Sequence, residues 1–332
     1  MINQSAHVVI VSHTNADGDA MGSALGMRHV LERNGQHCTV MLPNGCPKVF
    51  SWMPQSESIL CGDSQIVLCK KAIDQADLIL GIDFNQLSRI DCLSEIVRNA
   101  AIPKILIDHH HAPNLSEFDL VLSEPDLSSA CELCHWITVA TFGKEIEDST
   151  IATCYYTGIS TDTGGFAYSC NRSSVFEAAA ELVGLGIDAA DIHNKICNTF
   201  SIDRMQLWGF AISQRLRIFP EQKFAYFYFS QQDLQQYAAC AEDVEGLVNY
   251  TLMMQQIEVG CLIREETNRV KVSMRSKADV DVRMIAQTYF DGGGHTKAAG
   301  ATSTMPLNQT IAKVEEIFLN LHNVKKHTEP IA

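Results

Sequence analysis

A chain of 332 residues with 46% hydrophobic and 19% charged side chains is long enough for two globular domains and too apolar to be disordered. Its formal net charge of −14, from 25 Lys+Arg against 39 Asp+Glu, argues against a surface that wraps a long nucleic acid, so a phosphate-bearing ligand should be small or held by a local cationic site. The opening MINQSAHVVIVSH has no charged stretch followed by an adequate apolar one, and no apolar run approaches the ~18 residues of a membrane span. Among 12 cysteines there is one CxxC (Cys131, Cys134) with no second pair to complete a zinc site, which predicts buried thiols in a soluble cytoplasmic protein.

In chain order, residues 8–11 (VVIV) form a short β-branched run bounded by polar residues, a buried strand that delivers His13, Asp17 and Asp19 at its carboxyl end. Residues 20–33 carry small and apolar side chains at helical spacing and stop at Gly35, which places Asp19 near a helix N-terminus. An isolated DGD is by itself only a turn and a cap. Residues 38–42 read as a second strand, 78–82 as a third ending on Asp83, and 105–107 as a fourth ending on Asp108, His109, His110 and His111. Strands that are apolar throughout, separated by helix-length segments, predict an α/β domain with a mostly parallel sheet covered by helices on both faces. Ligands gather at the carboxyl ends of such strands. Three of these four strands carry Asp or His there, which turn chemistry alone does not account for.

From 128 to 195 the pattern is helical, interrupted by the polar loop Thr161-Asp162-Thr163-Gly164-Gly165. Within this region His135 is expected on an exposed helix face, and His111 is likewise expected at the surface. Residues 203–219 read as one amphipathic helix closing before Pro220, a connector between domains. Beyond it, 224–229, 258–263 and 270–274 read as strands of a smaller sheet, with helices near Leu234, at 281–289 and at 311–321, and a loose tail from His322. The expected organisation is a catalytic α/β domain over 1–198, a helical connector over 199–221 and a smaller α/β substrate domain over 222–325.

Together His13, Asp17, Asp19, Asp83, Asp108, His109, His110 and Asp162 make a carboxylate and imidazole set whose hardness favours manganese or magnesium over a thiolate-bound metal. Two divalent ions ~3.5–4 Å apart could share it, an arrangement suited to phosphoryl displacement. HTNADGD, Asp83 followed by Arg89, DHH at 108–110 and TDTGG at 161–165 resemble, in order, the four signatures of the DHH phosphoesterase superfamily. SMRSK (273–277) and GGGHTKAAG (292–300) resemble the DHH-associated substrate domain of bacterial nanoRNases and pAp phosphatases. There the glycines would let backbone amides approach a phosphate just before a helix.

The resemblance implies that His13, Asp17 and Asp83 hold one metal and that Asp19, Asp83, His109 and Asp162 hold the other, with Asp83 bridging. The ions would be manganese, with magnesium or cobalt as alternatives, and would activate a shared water as nucleophile. Asp108 would orient a histidine, and His110 would contact the reacting phosphate. In the smaller domain Arg275 and Ser276 would clamp a terminal phosphate, Gly293 and Gly294 would let backbone amides approach a phosphate, and His295 would lie near the scissile one, across a cleft that closes about the connector. The implied function is hydrolysis of RNA fragments of a few nucleotides and of 3′-phosphoadenosine 5′-phosphate (pAp), with no membrane or long nucleic acid as partner. Two alternatives are a phosphodiesterase for cyclic di-AMP or its linear product pApA and, more distantly, a manganese pyrophosphatase. Whether the chain works alone or as a homodimer is left open, as is the direction of attack on RNA.

Overall fold

The computed structural model describes residues 2–277 and 279–326, in two compact units, Met1–Thr199 and Phe200–Ala332. In the first, strands β1 (His7–Val11) and β2 (His37–Leu42) flank helix α1 (Gly18–Arg33). Strand β3 (Leu60–Cys61), helix α2 (Gly62–Gln75), strand β4 (Leu78–Ile82), helix α3 (Ser94–Arg98), strand β5 (Lys104–Asp108) and strand β6 (Leu120–Ser123) follow. All pair in parallel in the order β3-β2-β1-β4-β5-β6. Strand pleating sends Val8 and Ile10 into the core beneath α1 and Val9 and Val11 into the core on the opposite face, beside Ile73 of α2 and Val97 of α3. Burial on both faces is why these strands read as unbroken apolar runs. The chain leaves β1 toward β2 on one side and resumes at β4 on the other, so the ends of β1 and β4 mark the switch point where α/β sheets open a crevice.

Four more helices complete this unit: α4 (Ala130–Phe142), α5 (Ser149–Asp162), α6 (Ser173–Gly184) and α7 (Ala189–Cys197). Glycines let α1 and α5 approach closely. A methyl group on Gly22 would lie 2.4 Å from the Cys154 carbonyl oxygen, and one on Gly26 would lie 2.3 Å from the Tyr155 ring. From the α5 side, a Cβ on Gly158 would meet Cys131 Sγ at 2.2 Å, Asp19 Oδ1 at 2.8 Å and Asp19 Cα at 3.0 Å. This contact sets Asp19 near the end of α5. Gly158→Ala is expected to cost about 1–3 kcal/mol through overpacking. It should also weaken manganese binding by roughly tenfold, since Asp19 is the group displaced and tenfold is about 1.4 kcal/mol. Denaturant melts and metal titrations on the same variant check both, and unchanged metal affinity would mean that Asp19 is not set by this contact.

His135 departs from expectation. It is fully buried, with Nδ1 2.8 Å from Glu147 Oε1 and Nε2 3.3 Å from Glu181 Oε2, so the face of α4 that carries it faces two carboxylates rather than solvent. Neighbouring residues of α4, Cys131 and Cys134, are buried in the same core.

The second unit opens with helix α8 (Ile202–Phe210), a π-helical turn over Ala211–Arg215 and strand β7 (Leu216–Phe219). The single helix expected over 203–219 is therefore not formed. Leu-Arg-Ile-Phe runs directly into Pro220, which disfavours a helical residue before it, and pairs instead as an edge strand with β8 (Phe224–Phe229). Helices α9 (Gln231–Gln236) and α10 (Leu247–Leu252) precede β9 (Val259–Glu266) and β10 (Arg269–Ser276). Helix α11 (Val282–Tyr289), the hairpin of β11 (Asp291–His295) and β12 (Ala298–Ser303), and helix α12 (Leu307–Lys326) close the unit. The tail expected to be loose continues as helix to Lys326, and 327–332 lie outside the described residues. The sheet order is β11-β12-β10-β9-β8-β7, with only β8 and β9 parallel.

The glycine triplet is thus an edge strand that follows a helix, not a loop that precedes one. A Cβ on Gly292 would lie 2.4 Å from the Gly300 carbonyl oxygen, and Gly294, at φ +135°, lies against Ala298 and Ala299. These glycines serve close approach of β11 to the small residues of β12. One sheet face packs on α11 and α12 through Val272, Met274, Ala299 and Ala301. On the other, α8 and α10 cover Phe227, Phe229 and Leu262, leaving the β10–β12 side open.

Candidate metal centre

The crevice at the switch point gathers the predicted residues. His13 follows β1, Asp17 caps α1, Asp19 sits in its first turn, Asp83 follows β4, Asp108 ends β5, and Asp162 ends α5. Asp17 Oδ1 accepts hydrogen bonds from the backbone N–H groups of Asp19 (3.0 Å) and Ala20 (3.1 Å), so it fills the cap role open to any DGD, and the same atom lies 3.9 Å from His13 Nε2. His13 Nδ1 lies 2.9 Å from the Thr14 carbonyl oxygen, which can only accept. The proton is therefore on Nδ1, and the bare Nε2 faces Asp83 Oδ2 at 3.4 Å.

On the other side of Asp83, His109 Nε2 lies 3.6 Å from Asp83 Oδ1, 3.7 Å from Asp19 Oδ2 and 3.4 Å from Asp162 Oδ2. His110 Nδ1 is 3.7 Å from Asp83 Oδ1 and 2.7 Å from Asp108 Oδ1. Asp83 itself is buried and has a left-handed backbone, φ +65°, anchored by its N–H to the Ile107 carbonyl oxygen at 3.0 Å. A non-glycine residue held in that region at the end of a buried strand signals a constrained site. The third histidine of the run, His111, is exposed, as expected, and its carbonyl oxygen accepts from Asn85 Nδ2 at 3.1 Å.

Asp19 has a support that the sequence reading missed. Its carboxylate accepts hydrogen bonds from the N–H groups of Ala130 (2.6 Å) and Cys131 (2.8 Å), the first residues of α4. The positive end of a helix thus steadies an anion. The available signal was Ser129-Ala-Cys-Glu132, an S-x-x-E start in which Ser129 caps the Glu132 N–H at 3.0 Å.

These residues fit a divalent cation. Hard oxygens and imidazole nitrogens converge without thiolates: in the groups His13–Asp17–Asp83 and Asp19–His109–Asp162 the ligand atoms lie within 4.8 Å of one another, and each histidine nitrogen stands 3.4–3.9 Å from its carboxylates, near the spacing of about 3–4 Å expected of atoms ~2.1 Å from a shared ion. The electrostatics agree. Burial, then repulsion from Asp17, pushes the Asp19 carboxyl up to about 7, and burial, then Asp19, does the same to Asp162. Burial followed by Asp19, Asp17, Asp162 and Asp108 holds Asp83 well above the ordinary carboxylate range. Burial lowers His13 against the pull of Asp17. Carboxyls that resist ionisation together are relieved by a cation among them.

A stability prediction follows from the sign of these shifts. Folded Asp19 and Asp162 titrate near 7, whereas an unfolded aspartate titrates near 3.9, so between those values the folded chain binds more protons. Their contribution is fully present below the unfolded value and is lost as pH rises toward 7. The stability of metal-free protein should fall between about pH 4 and about pH 7, by on the order of a few kcal/mol, with the thermal midpoint falling in step, and saturating manganese should remove the slope. A metal-free midpoint that climbs over this range would contradict the assignment.

In the second unit the open face carries Lys271, Ser273 and Arg275 of β10, with Arg264 of β9 and Ala298 and Gly300 of β12, around a cavity of about 550 Å³. Arg275 is half-buried and donates from Nη1 to its neighbour's Met274 carbonyl oxygen at 3.0 Å. Burial lowers its pKa. Gly293 pairs with Gly300 on this face, with nothing within 4 Å of where a Cβ would stand. His295, opposite Ala298, is exposed. Ser276, expected beside Arg275, points to the other face by strand alternation and is buried.

A parallel sheet with carboxylates and imidazoles at its switch point, followed by a unit built on a mixed sheet, is the arrangement of a metal-dependent hydrolase. The chain belongs to the DHH family: the DHH family N-terminal domain matches residues 7–159 and the DHHA1 domain matches 221–320. A crystal structure of an exopolyphosphatase-related protein from Bacteroides fragilis is 33% identical, with a TM-score of 0.94 over 98% of this chain and 95% of that one. The probable bifunctional oligoribonuclease and PAP phosphatase NrnA of Streptococcus mutans is 26% identical over 323 residues, 96% of this chain and 95% of that protein. The Thermus thermophilus NrnA is 27% identical over 319 residues, 93% of this chain and 88% of that protein. The cyclic-di-AMP phosphodiesterase PdeA of Listeria monocytogenes is 24% identical over 335 residues, but this chain spans only 48% of it. No helix among the described residues is long and apolar enough to cross a membrane.

Proposed function

We propose that this protein hydrolyses phosphoesters of short RNA oligonucleotides and of pAp. The observation that carries the reading is Asp83, which turns Oδ2 toward His13 and Oδ1 toward His109 and so serves both ligand groups. His13, Asp17 and Asp83 would hold one divalent ion and Asp19, Asp83, His109 and Asp162 a second, with manganese the favoured metal. Bound ions of this kind lower the pKa of water and stabilise charge on the phosphoryl oxygens. Asp108 orients His110 through the contact at Nδ1; against burial, that contact raises the His110 pKa, which suits it to donate to a phosphate oxygen. On the open face of the second unit Arg275, Gly293 and His295 receive the substrate's terminal phosphate and backbone, Gly294 shapes the strand, and Ser276 takes no direct part. All 12 cysteines are free, which suits a reducing cytoplasm.

Two relatives named NrnA match at 26% and 27% identity, against 24% for PdeA, which favours oligoribonuclease and pAp phosphatase over the cyclic di-AMP reading. Product analysis on pAp, short RNAs, pApA and cyclic di-AMP with added manganese tests this. Release of AMP from pAp and of mononucleotides from short RNA is expected. Turnover of cyclic di-AMP alone would replace the reading. In the same assay Arg275→Ala should raise KM by roughly tenfold or more for substrates with a free terminal phosphate, by loss of a charge-assisted contact, with manganese content unchanged.

A further inference from the structure

Residues along β10 alternate between two environments. Val270, Val272 and Met274 enter the core with α11 and α12, so Arg269, Lys271, Ser273 and Arg275 share the open face. Their neighbours on β12 are small, with Ala298 opposite Arg275 and Gly300 opposite Ser273. Lys271, Ser273 and Arg275 line the cavity of about 550 Å³, which the segment 244–248 also lines through Val244, Gly246 and Val248. Helix α8 holds that segment in place: Arg204 Nη2 donates to the Glu245 carbonyl oxygen at 2.8 Å, and Trp208 Nε1 donates to the Asp243 carbonyl oxygen at 2.7 Å.

The cations of this face differ in what already engages them. Arg264 of β9, opposite Lys271 in register, pairs with Glu266, and so does Arg269, whose Nε lies 2.6 Å from Glu266 Oε2. Lys271 is exposed and Ser273 half-buried, and neither side chain has a hydrogen bond or ion pair among the described residues. A cation and a hydroxyl on a cavity wall are thus left open to a ligand.

Their spacing says which ligand. One face of a strand repeats every second residue, so Arg275, Ser273 and Lys271 stand about 6.6 Å apart in succession and about 13 Å from end to end. A single-stranded nucleic acid whose backbone tracks a groove presents its phosphates in a row of this kind. Past Lys271 the row meets Glu266, whose carboxylate already engages Arg264 and Arg269 and would repel a further phosphate.

We propose that Lys271 is a specificity-determining residue that binds the third phosphate of an oligonucleotide, the first lying at Arg275 and the second meeting the Ser273 hydroxyl. The inference rests on the phosphoester reading above and names the substrate that this face favours, an oligonucleotide with three phosphates over a nucleotide with two. pAp carries two phosphates and spans Arg275 to Ser273 without reaching Lys271. A fourth phosphate meets the Glu266 carboxylate instead of an open cation.

The series pAp, pApAp and pApApAp, with two, three and four phosphates, tests this on the full-length chain with Lys271→Gln and Lys271→Arg. Displacement of a fluorescent pApAp without added manganese reads binding, and turnover with manganese reads KM and kcat separately. For Lys271→Gln, binding of pApAp and pApApAp should weaken by about tenfold and KM should rise in step, with kcat held and the salt dependence of binding flattened by about 0.7 in logarithmic slope. Binding and KM for pAp should stay within about twofold of the parent. Lys271→Arg should recover most of the loss, because it keeps the charge. Lys313→Gln removes a charge from α12, on the covered side of the sheet, and should change none of the three. An equal loss for pAp and pApAp, or the same loss in Lys313→Gln, would make Lys271 a source of general attraction and overturn the proposal, as would pApAp binding within about twofold of the parent. A parent that binds pApAp through Lys271 but cleaves none of the series would remove the phosphoester reading and leave the assignment of Lys271 standing.

Discussion

Asp83→Ala is expected to abolish turnover and to lower metal occupancy at both positions together. The carboxylate is the one group in the cluster with an oxygen toward each side, Oδ2 at 3.4 Å from His13 Nε2 and Oδ1 at 3.6 Å from His109 Nε2. His13→Ala or Asp19→Ala, by contrast, should deplete one position more than the other. The expected loss for Asp83→Ala is roughly 10⁴-fold or more, about 5.5 kcal/mol of transition-state stabilisation. Folding should not suffer, since the side chain removed is buried and repelled by Asp19, Asp17, Asp162 and Asp108. The metal-free variant should melt no lower than the parent. Elemental analysis beside turnover decides the matter, and activity within a few-fold of the parent with two ions bound would rule out a bridging role.

What the sequence made legible follows from how many independent signals each element carried. The parallel sheet was readable because buried strands such as 78–82 are apolar on both faces and end on chemistry-bearing residues. The two-residue β3 and the half-exposed β6 carry no such run. The candidate ligand residues were readable because each lies at or beside a recognisable strand or helix end. Their supports were not: the N–H groups that hold Asp19 belong to Ala130 and Cys131, more than a hundred positions away, and backbone donors leave no trace in residue type. Leu216–Phe219 shows the reverse failure, in which apolar spacing fits a helix but the following proline and an available edge of β8 select a strand. His135 looked like an exposed position because its two carboxylate partners come from other parts of the chain.

Activity should fall steeply with RNA length, and the reason lies in where positive charge is found. A net charge of −14 gives the exterior little attraction for a polyanion, so phosphates beyond those that reach a cationic site are unrewarded or repelled. On the open face of the second unit the cations lining the cavity are Arg264, Lys271 and Arg275, and Arg264 is already engaged by Glu266. Few phosphates can be matched there. Alanine and glycine, at Ala298 and Gly300, form the floor between them, a surface suited to a short segment lying flat rather than to a long one gripped along its backbone. kcat/KM on dinucleotides to pentanucleotides should accordingly exceed that on an RNA of about 24 nucleotides by roughly a hundredfold or more, equivalent to about 2.7 kcal/mol. Added salt should narrow the gap, because screening weakens the repulsion met by the longer chain more than the local contacts of the shorter one. Equal kcat/KM across the series at low salt would point instead to a continuous cationic groove of the kind a processive nuclease needs, which the charge of this chain does not supply.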